Sequence, residues 1–249
     1  MHWIYLSPHL DDGVLSCGGM IWEQVQQGDE VQIWTICAGD PPEGDLSSFA
    51  QELHDRWGTG REASAKRREE DVRACQCVGA IAHHFTIPDC IYRVNPLTGQ
   101  ALITAEPDLN LPLDERDAST LQEVVDLLAA QLPGNVQVVS PMAIGSHVDH
   151  QLVRAAVERM NLPILYYADY PYVGRRVEQL EELRVASLRI LSQPLSVVAL
   201  QVWQDGAAEY ASQISTFWGS TTEMRTAIAD FFQRGGGTCL FELNKPFEH

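Results

Sequence analysis

Short apolar runs alternate with longer amphipathic segments along most of this chain, and that alternation constrains its fold more than any other feature. The short runs are rich in β-branched and aromatic residues and predict strands at 3–6, 31–36, 81–87, 136–140 and 164–167. The longer segments predict helices at 15–27, 61–79, 119–131 and 149–160. This alternation predicts an α/β, Rossmann-like fold with a mostly parallel sheet and helices on both faces.

The last part of the chain continues the pattern less regularly. A strand-like run lies near 197–202, helical patterns lie near 205–217 and 222–232, and a last strand-like run lies near 238–243. We see no convincing linker that would split the chain. We therefore expect a single domain over residues 1–249, with a core of about 1–170 and with C-terminal helices and an edge strand in 171–249.

Two stretches resist assignment because Pro, Gly, Asn and Asp are frequent in them. They are 38–48, which continues as a loop towards residue 60, and 88–118. The second is long for a loop without structure, which indicates a lid, a hairpin or a binding loop, and 94–101 fits a small hairpin. We expect these two loops to decide which substrate is accepted.

The charge balance is strongly acidic and restricts the partners. Lys and Arg number 17 against 34 Asp and Glu, which gives a net charge of −17. Nucleic acids and anionic membranes would be repelled, so we expect neither as a partner. A neutral or cationic small molecule, such as a sugar or an amine, fits that field. The sequence leaves the oligomeric state open, homo-oligomers included.

The six cysteines make no CxxC pair and no disulfide-framework pattern, which is typical of a reducing compartment. The N-terminus lacks the basic region of a signal peptide, and no apolar window is long enough to span a bilayer. We therefore expect a soluble cytoplasmic protein.

Polar clusters follow the first and fourth predicted strands. Pro8-His9-Leu10-Asp11-Asp12 comes directly after the first strand, and His147-Val148-Asp149-His150 comes after the fourth. Ligands of open α/β sheets bind outside the carboxyl ends of the strands. If the strand order is 3-2-1-4-5, strands one and four are neighbours, and the two clusters face each other across one crevice.

Together the clusters offer three histidines and three aspartates, residue types that suit a catalytic zinc. Such a site uses about three protein ligands and keeps one position for water. One of the adjacent Asp11 and Asp12 can bind the metal while the other activates the water, but spacing does not say which. Iron(II) fits the same donor types.

Each cluster also has an ordinary explanation. An Asp near a helix start can be a cap, and Asp-Asp-Gly makes a common turn. Both clusters at strand ends together favour a site. The first turn lacks G-x-G-x-x-G, and its two carboxylates would repel a pyrophosphate, which excludes a nucleotide-binding Rossmann domain. We expect no metal role for the remaining histidines singled out: His2, His54, His83 and His84.

These residues resemble the LmbE-like or PIG-L deacetylases, which remove acetyl groups from N-acetylglucosaminyl conjugates and related amides. The resemblance rests mainly on Ser7-Pro8-His9-Leu10-Asp11-Asp12, with Gly18 and Gly19 after it, and on the HVDH stretch at 147–150. Supporting matches are Arg67 to Glu70, Val78-Gly79 where the family has Leu-Gly, Pro88-Asp89-Cys90 where it has Pro-Asp-Gly, and Tyr210-Ala211-Ser212-Gln213.

The resemblance implies a role for each matching residue. His9, Asp12 and His150 would bind zinc. Asp11 would be the general base on the attacking water. His147 would stabilise the oxyanion or protonate the leaving amine, and Asp149 would orient His147.

Substrate contacts are implied for Arg67 and Asp89, and Glu70 would support Arg67. The tyrosines that follow the fifth strand, together with Asp169, are better explained by packing within the protein than by stacking on a sugar ring. The function so implied is zinc-dependent removal of an acetyl group from an N-acetylated sugar conjugate. An amidase acting on a different acyl or thiol conjugate, and a metal- or carbohydrate-binding protein without turnover, remain alternatives.

Overall fold

A computed structural model describes residues 1–95, 97–175 and 177–243, and within them seven strands form one sheet. The strands are β1 (His2–Ser7), β2 (Glu30–Thr35), β3 (Ile81–His84), β4 (Gln137–Pro141), β5 (Ile164–Tyr167), β6 (Ser187–Ser192) and β7 (Cys239–Leu243). The helices are α1 (Asp12–Gln26), α2 (Ser48–Arg56), α3 (Ala63–Val78), α4 (Ala118–Gln131), α5 (Val148–Glu158), α6 (Val177–Ala186), α7 (Val197–Ala208), α8 (Ile214–Phe217) and α9 (Thr221–Gln233). Short 3-10 turns lie at Cys90–Tyr92, Glu106–Asn110, Glu115–Asp117 and Tyr172–Arg175.

The strand order is β3-β2-β1-β4-β5-β7-β6. The first five strands are parallel, and β7 and β6 extend the sheet in antiparallel fashion. The predicted α/β class and the assumed order 3-2-1-4-5 are both confirmed. Because the order reverses between β1 and β4, a crevice opens at their carboxyl ends.

Both faces of the sheet are covered, as β1 shows residue by residue. Trp3 and Tyr5 pack into a cluster with α1, α3 and α7, whereas Ile4 and Leu6 pack into a second cluster with α4 and α5. Successive side chains of a strand point to opposite faces, so a strand buried on both sides reads as a continuous apolar run. Burial of each such side chain contributes about 1.5–3 kcal/mol.

Two glycines inside α1 let α7 approach closely. A Cβ on Gly18 would lie 2.6 Å from Cδ1 of Trp203, and one on Gly19 would lie 2.8 Å from Leu195. Trp203 is fully buried, and its indole N–H donates to the carbonyl of Leu15. The glycine pair, which weakens a helix in isolation, is thus explained by packing.

The strand predicted near 197–202 is wrong, because this segment forms the first half of α7. Its β-branched residues are strand-like in composition, but Ser196 caps a helix by accepting the N–H of Ala199 at 3.0 Å. Ala199, Trp203 and Ala207 are buried four residues apart, which is a helical period. The helix predicted near 205–217 is accordingly two helices, α7 and α8.

Other departures lie at edges and in loops. The prediction missed α6 and the edge strand β6, whose residues are largely exposed and show no clear pattern. The third strand ends at His84 rather than at residue 87, although Thr86 still bridges Cys37. The helix near 222–232 and the last strand near 238–243 are confirmed as α9 and β7.

The two loops pack against each other over the carboxyl end of the sheet. The first contains α2, which the sequence did not predict, and its Phe49 and Leu53 join Ile91 and Ile103 of the second loop in a third apolar cluster. The small hairpin at 94–101 is confirmed by the bridge between Val94 and Ala101, although Pro96 lies outside the described residues. No helix in the described ranges has the length and apolarity needed to cross a bilayer.

Candidate metal centre

The two polar clusters meet at the carboxyl ends of β1 and β4, as the sequence predicts. The ring centroid of His9 lies 4.8 Å from that of His147 and 5.5 Å from that of His150. The ligand atoms of these three histidines all lie within 4.8 Å of one another. His9 and His147 are 138 positions apart in the chain. They come together because β1 and β4 are neighbours in the sheet.

The turn between β1 and α1 holds its polar side chains through short local bonds. The Ser7 hydroxyl donates to the carbonyl of His9 at 2.6 Å and accepts the N–H of Gly13 at 3.0 Å. Oδ2 of Asp12 accepts the N–H of His9 at 2.8 Å. These bonds fix the Asp12 carboxylate at the start of α1, where the helix dipole also favours negative charge.

Asp12 lies between two histidine nitrogens. Its Oδ2 is 3.2 Å from Nδ1 of His9 and 3.3 Å from Nε2 of His150. Tetrahedral zinc with bonds of about 2.0–2.1 Å places its ligand atoms about 3.3 Å apart. Nε2 of His150 is buried, and apart from this contact with the Asp12 carboxylate it has no hydrogen-bond partner among the described residues. The spacing, the donor set and this bare nitrogen all fit a bound metal ion.

Each of these histidines is backed by a second buried carboxylate. Nε2 of His9 contacts Oδ2 of Asp149 at 3.0 Å, and Nδ1 of His150 contacts Oδ1 of Asp169 at 2.6 Å. Metal-binding histidines commonly donate their other ring N–H to a carboxylate in this way, which fixes the ring and its tautomer. Sequence reasoning missed this contact of Asp169, since a lone Asp among tyrosines after β5 gives no signal.

The side chain of Asp149, which is predicted to orient His147, makes its hydrogen bonds to other groups in this structure. Its carboxylate contacts His9, accepts the N–H of Cys90 at 3.0 Å and forms an ion pair with Arg93. Asp149 is fully buried, and although burial alone would raise its pKa, Arg93 and His9 hold that pKa far below its ordinary value. Arg93, which the sequence analysis did not single out, is therefore the counter-charge of this carboxylate.

His147 is oriented by the main chain instead. It is the N-cap of α5, and its Nδ1 accepts the N–H of Asp149 at 3.2 Å. Because a nitrogen that accepts carries no proton, the neutral ring must carry its proton on Nε2. Burial lowers the pKa of His147 well below its ordinary value, and His9 and His150 add to the effect, which favours the neutral ring.

The loop before His147 has an unusual backbone. Ala143, Gly145 and Ser146 all have positive φ angles, of 62°, 93° and 61°. A Cβ on Gly145 would lie 2.9 Å from the ring of Tyr172, so glycine is required both by conformation and by space. Such strained turns often occur at functional sites.

The site attracts positive charge. Burial alone would lower the pKa of His9, but Asp12 and Asp149 outweigh it and raise that pKa well above its ordinary value. Burial is likewise outweighed at His150, whose pKa rises to about 9 because of Asp12 and Asp169. A cation among these carboxylates would take over the role of the two protons.

Asp11 and Arg67 line the same cavity, which has a volume of about 330 Å³. Burial and the neighbouring Asp12 raise the pKa of Asp11 to about 6, although Arg67 opposes the shift. Nη2 of Arg67 lies 3.8 Å from Oδ1 of Asp11, and its Nη1 lies 3.8 Å from Oδ2 of Asp89. The guanidinium carbon of Arg67 lies 5.0 Å from the ring centroid of Trp57. The structure thus brings the predicted Arg67 and Asp89 to the cavity wall.

Two of the other histidines have structural partners. His84 contacts Asp71 at 2.7 Å, and His54 contacts the hydroxyl of Tyr92 at 2.6 Å. Two further donor groups of the described residues overlap the site: Cys90, His147 and Asp149, and His9, Asp89 and Asp149. Neither includes His2, His54, His83 or His84.

Comparison with known proteins agrees with this geometry. The family model of PIG-L, GlcNAc-PI de-N-acetylase, matches residues 4–161, which include both polar clusters.

A 2'-N-acetylparomamine deacetylase of Niallia circulans is 28% identical over 245 residues, which cover 89% of this chain and 84% of that protein. Its counterpart in Streptomyces fradiae is 29% identical over 181 residues, 70% of this chain and 58% of that protein. The crystal structure of the zinc-inhibited form of teicoplanin deacetylase Orf2 has the same fold, with a TM-score of 0.78 at 24% identity over 98% of this chain and 99% of that one. The chain belongs to the PIG-L family of de-N-acetylases.

Proposed function

We propose that this protein is a zinc-dependent hydrolase that removes the acetyl group from an N-acetylated amino sugar. The observation that carries the proposal is the position of Asp12 Oδ2, 3.2 and 3.3 Å from the facing nitrogens of His9 and His150, with Asp11 in the same cavity. His9, Asp12 and His150 would hold the metal. Asp149 and Asp169 would keep the two imidazoles in place.

A zinc ion in this position supplies a Lewis acid for the acetyl carbonyl and lowers the pKa of water. Asp11 would take a proton from the attacking water. Its buried position beside Asp12, which raises its pKa to about 6, makes it a stronger base than an exposed aspartate. The proton then held by Asp11 is available for the leaving nitrogen, so that water and the amide become acetate and a free amine.

His147 would stabilise the negative charge that develops on the carbonyl oxygen. Its accepting Nδ1 leaves an N–H on Nε2, and a fixed neutral donor suits an oxyanion. The tautomer is set by the start of α5, so no rearrangement is needed during the reaction. Asp149 would act on this site through His9, rather than through His147.

The substrate class is supported by the cavity and by the relatives. The wall combines the aromatic rings of Trp57, Tyr172 and Phe217 with charged groups, a mixture that suits a sugar. The family model is described as a de-N-acetylase of a glucosamine conjugate, and two relatives are named for an N-acetylated amino sugar. Arg67 and Asp89 would bind hydroxyl groups of that sugar.

The C-terminal part supplies one wall of the cavity through Gln213, Thr216 and Phe217, which supports a single functional unit over residues 1–249. The cysteines are all unpaired, which supports a cytoplasmic location. Zinc is proposed over iron(II) because two histidines and one carboxylate with a free position are typical of hydrolytic zinc. We propose no nucleic acid or membrane partner, given the net charge of −17.

Metal removal and restoration tests the proposal. The purified protein is stripped with a chelator, reloaded with zinc or, without oxygen, with iron(II), and assayed for acetate release. The panel contains N-acetylglucosamine glycosides, 2'-N-acetylparomamine and matched amides with longer acyl groups. Activity that returns with metal and is highest on acetylated sugars supports the proposal. Preference for a longer acyl group or a thiol conjugate indicates a different amidase, and bound metal without hydrolysis of any amide indicates a binding protein.

A further inference from the structure

We propose that Gln213 is a specificity-determining residue that presents a fixed hydrogen-bond acceptor to one hydroxyl group of the acetylated sugar ring, and that Ser212 and Glu70 fix its orientation. This inference rests on the proposed function, since it names a contact in the same cavity.

Gln213 lies at the wall of the cavity that comes from the C-terminal part. It precedes α8, is 4% exposed and lines the cavity together with Thr216 and Phe217. Trp57 lines the same cavity from the first loop. A ligand above the metal centre would therefore pass between Gln213 and the residues of the loops.

The orientation of the Gln213 amide follows from three hydrogen bonds. Glu70 accepts the N–H of Ser212 at 3.0 Å through Oε1 and the hydroxyl of Ser212 at 2.6 Å through Oε2. A carboxylate can only accept, so the Ser212 hydroxyl donates its proton to Glu70. The Ser212 oxygen is then left to accept, and it accepts Nε2 of Gln213 at 3.0 Å.

With its nitrogen committed to Ser212, Gln213 presents its carbonyl oxygen elsewhere. Within the described part of the chain no donor reaches this oxygen, whereas the Gln213 nitrogen has its partner. The side chain that carries this oxygen is 4% exposed and lines the cavity, so the oxygen is suited to accept a donor from a ligand. Two polar atoms of other cavity residues, Thr216 Oγ1 and Trp57 Nε1, are buried without partners among the described residues.

The backbone that carries Gln213 is anchored independently of its side chain. The hydroxyl of Tyr210 donates to Oδ1 of Asp71 at 2.7 Å, and the N–H of Gln213 donates to the carbonyl of Tyr210 at 2.9 Å. Glu70 and Asp71 both lie on α3, one turn after Arg67. Replacing the Gln213 side chain should therefore leave the fold and the metal site intact.

The experiment measures kcat/KM of zinc-loaded enzyme on methyl N-acetylglucosaminide and 2'-N-acetylparomamine, and on the monodeoxy analogues of whichever is hydrolysed. The variants are Gln213→Met, which keeps the length but removes the acceptor, and Ser212→Ala, which frees the amide to rotate. Ser212→Thr restores the hydroxyl, and Gln122→Ala, an exposed glutamine of α4, is the control.

With the wild type, we expect kcat/KM on one deoxy analogue to be about tenfold lower than on the parent sugar, because that analogue lacks the hydroxyl that would donate to the nearly buried Gln213. Gln213→Met should lose a similar factor on the parent sugar and nothing further on that analogue. The kcat/KM of Ser212→Ala on the parent sugar should lie between those of the wild type and Gln213→Met. Ser212→Thr should recover the value of the wild type. Equal losses of Gln213→Met on the parent and on every analogue would overturn the inference while leaving the deacetylase function standing. Failure of the wild type to hydrolyse either parent sugar would overturn both.

Discussion

Nε2 of His9 lies 3.0 Å from Oδ2 of Asp149, and the other oxygen of that carboxylate is paired with Arg93. A residue of the first polar cluster is thus held by a residue of the second, across 140 positions of the chain. The contact turns Nδ1 of His9 towards Asp12, where a metal ligand is needed.

Asp149→Asn should weaken metal binding. The amide keeps the shape but loses the charge that supports His9, and loss of such a carboxylate typically costs roughly 10–100-fold in metal affinity. Competition with a chromophoric chelator measures the zinc affinity. Asp126→Asn, on the exposed face of α4, is the matched control and should bind as the wild type does. An unchanged affinity in Asp149→Asn would show that the His9 ring does not depend on Asp149.

Arg93→Met should destabilise the fold by about 3–5 kcal/mol, since it leaves a buried carboxylate without its counter-charge. Arg116→Met removes an arginine whose pair with Asp114 is exposed and screened by solvent, and it should leave the free energy of unfolding nearly unchanged. Urea unfolding of metal-free protein at neutral pH gives both values. Similar small losses in the two variants would contradict the assigned pairing.

His150→Ala should lose both metal and activity, because it removes the buried Nε2 that faces Asp12 Oδ2 at 3.3 Å and makes no hydrogen bond among the described residues. Metal analysis after gel filtration, together with acetate release, tests this. Asp169→Asn should keep the metal at saturating zinc but bind it more weakly, because Asp169 reaches the metal through His150. Full metal content in His150→Ala would remove His150 from the ligand set.

Asp11→Asn should abolish turnover while metal content stays near normal. The amide cannot take a proton from water, whereas His9, Asp12 and His150 are untouched. Zinc content and kcat on the best N-acetylated sugar are measured on the same preparation. A protein that no longer holds zinc would make Asp11 a ligand and would reverse the roles of Asp11 and Asp12.

Gly18→Ala should destabilise the protein although alanine favours helices by about 1 kcal/mol. The new methyl would lie 2.6 Å from the buried ring of Trp203, which is held by its bond to Leu15, and overpacking of this kind costs about 1–3 kcal/mol. Thermal unfolding should show the loss. Gly134→Ala, where a Cβ meets nothing within 4 Å, should leave stability unchanged or slightly higher.

The parts of the fold that the sequence predicts correctly are those in which local pattern and burial agree. Strand β1 is buried on both faces and reads as a continuous apolar run. The segment near 197–202 fails this test, because its β-branched composition suggests a strand while its cap and its buried positions make a helix.

The candidate site divides in the same way. Two short contiguous motifs contain His9, Asp12, His147 and His150, so the sequence alone identifies these residues as candidates. Arg93 and Asp169 come from a loop and a strand end without a motif, and only the folded chain shows that they contact Asp149 and His150. The partner of Glu70 was also unpredictable, since Ser212 is 142 positions away.

Helix α3 connects two parts of the cavity that are encoded far apart. Arg67 faces Asp11 and Asp89, while Glu70 and Asp71 of the following turn hold Ser212 and Tyr210. Changes in the C-terminal segment can therefore reshape the wall of the cavity without altering the residues at its floor. Such a division would let the accepted sugar change during evolution while the residues of hydrolysis stay the same. Helix α3 would change least, because it contacts both parts of the cavity.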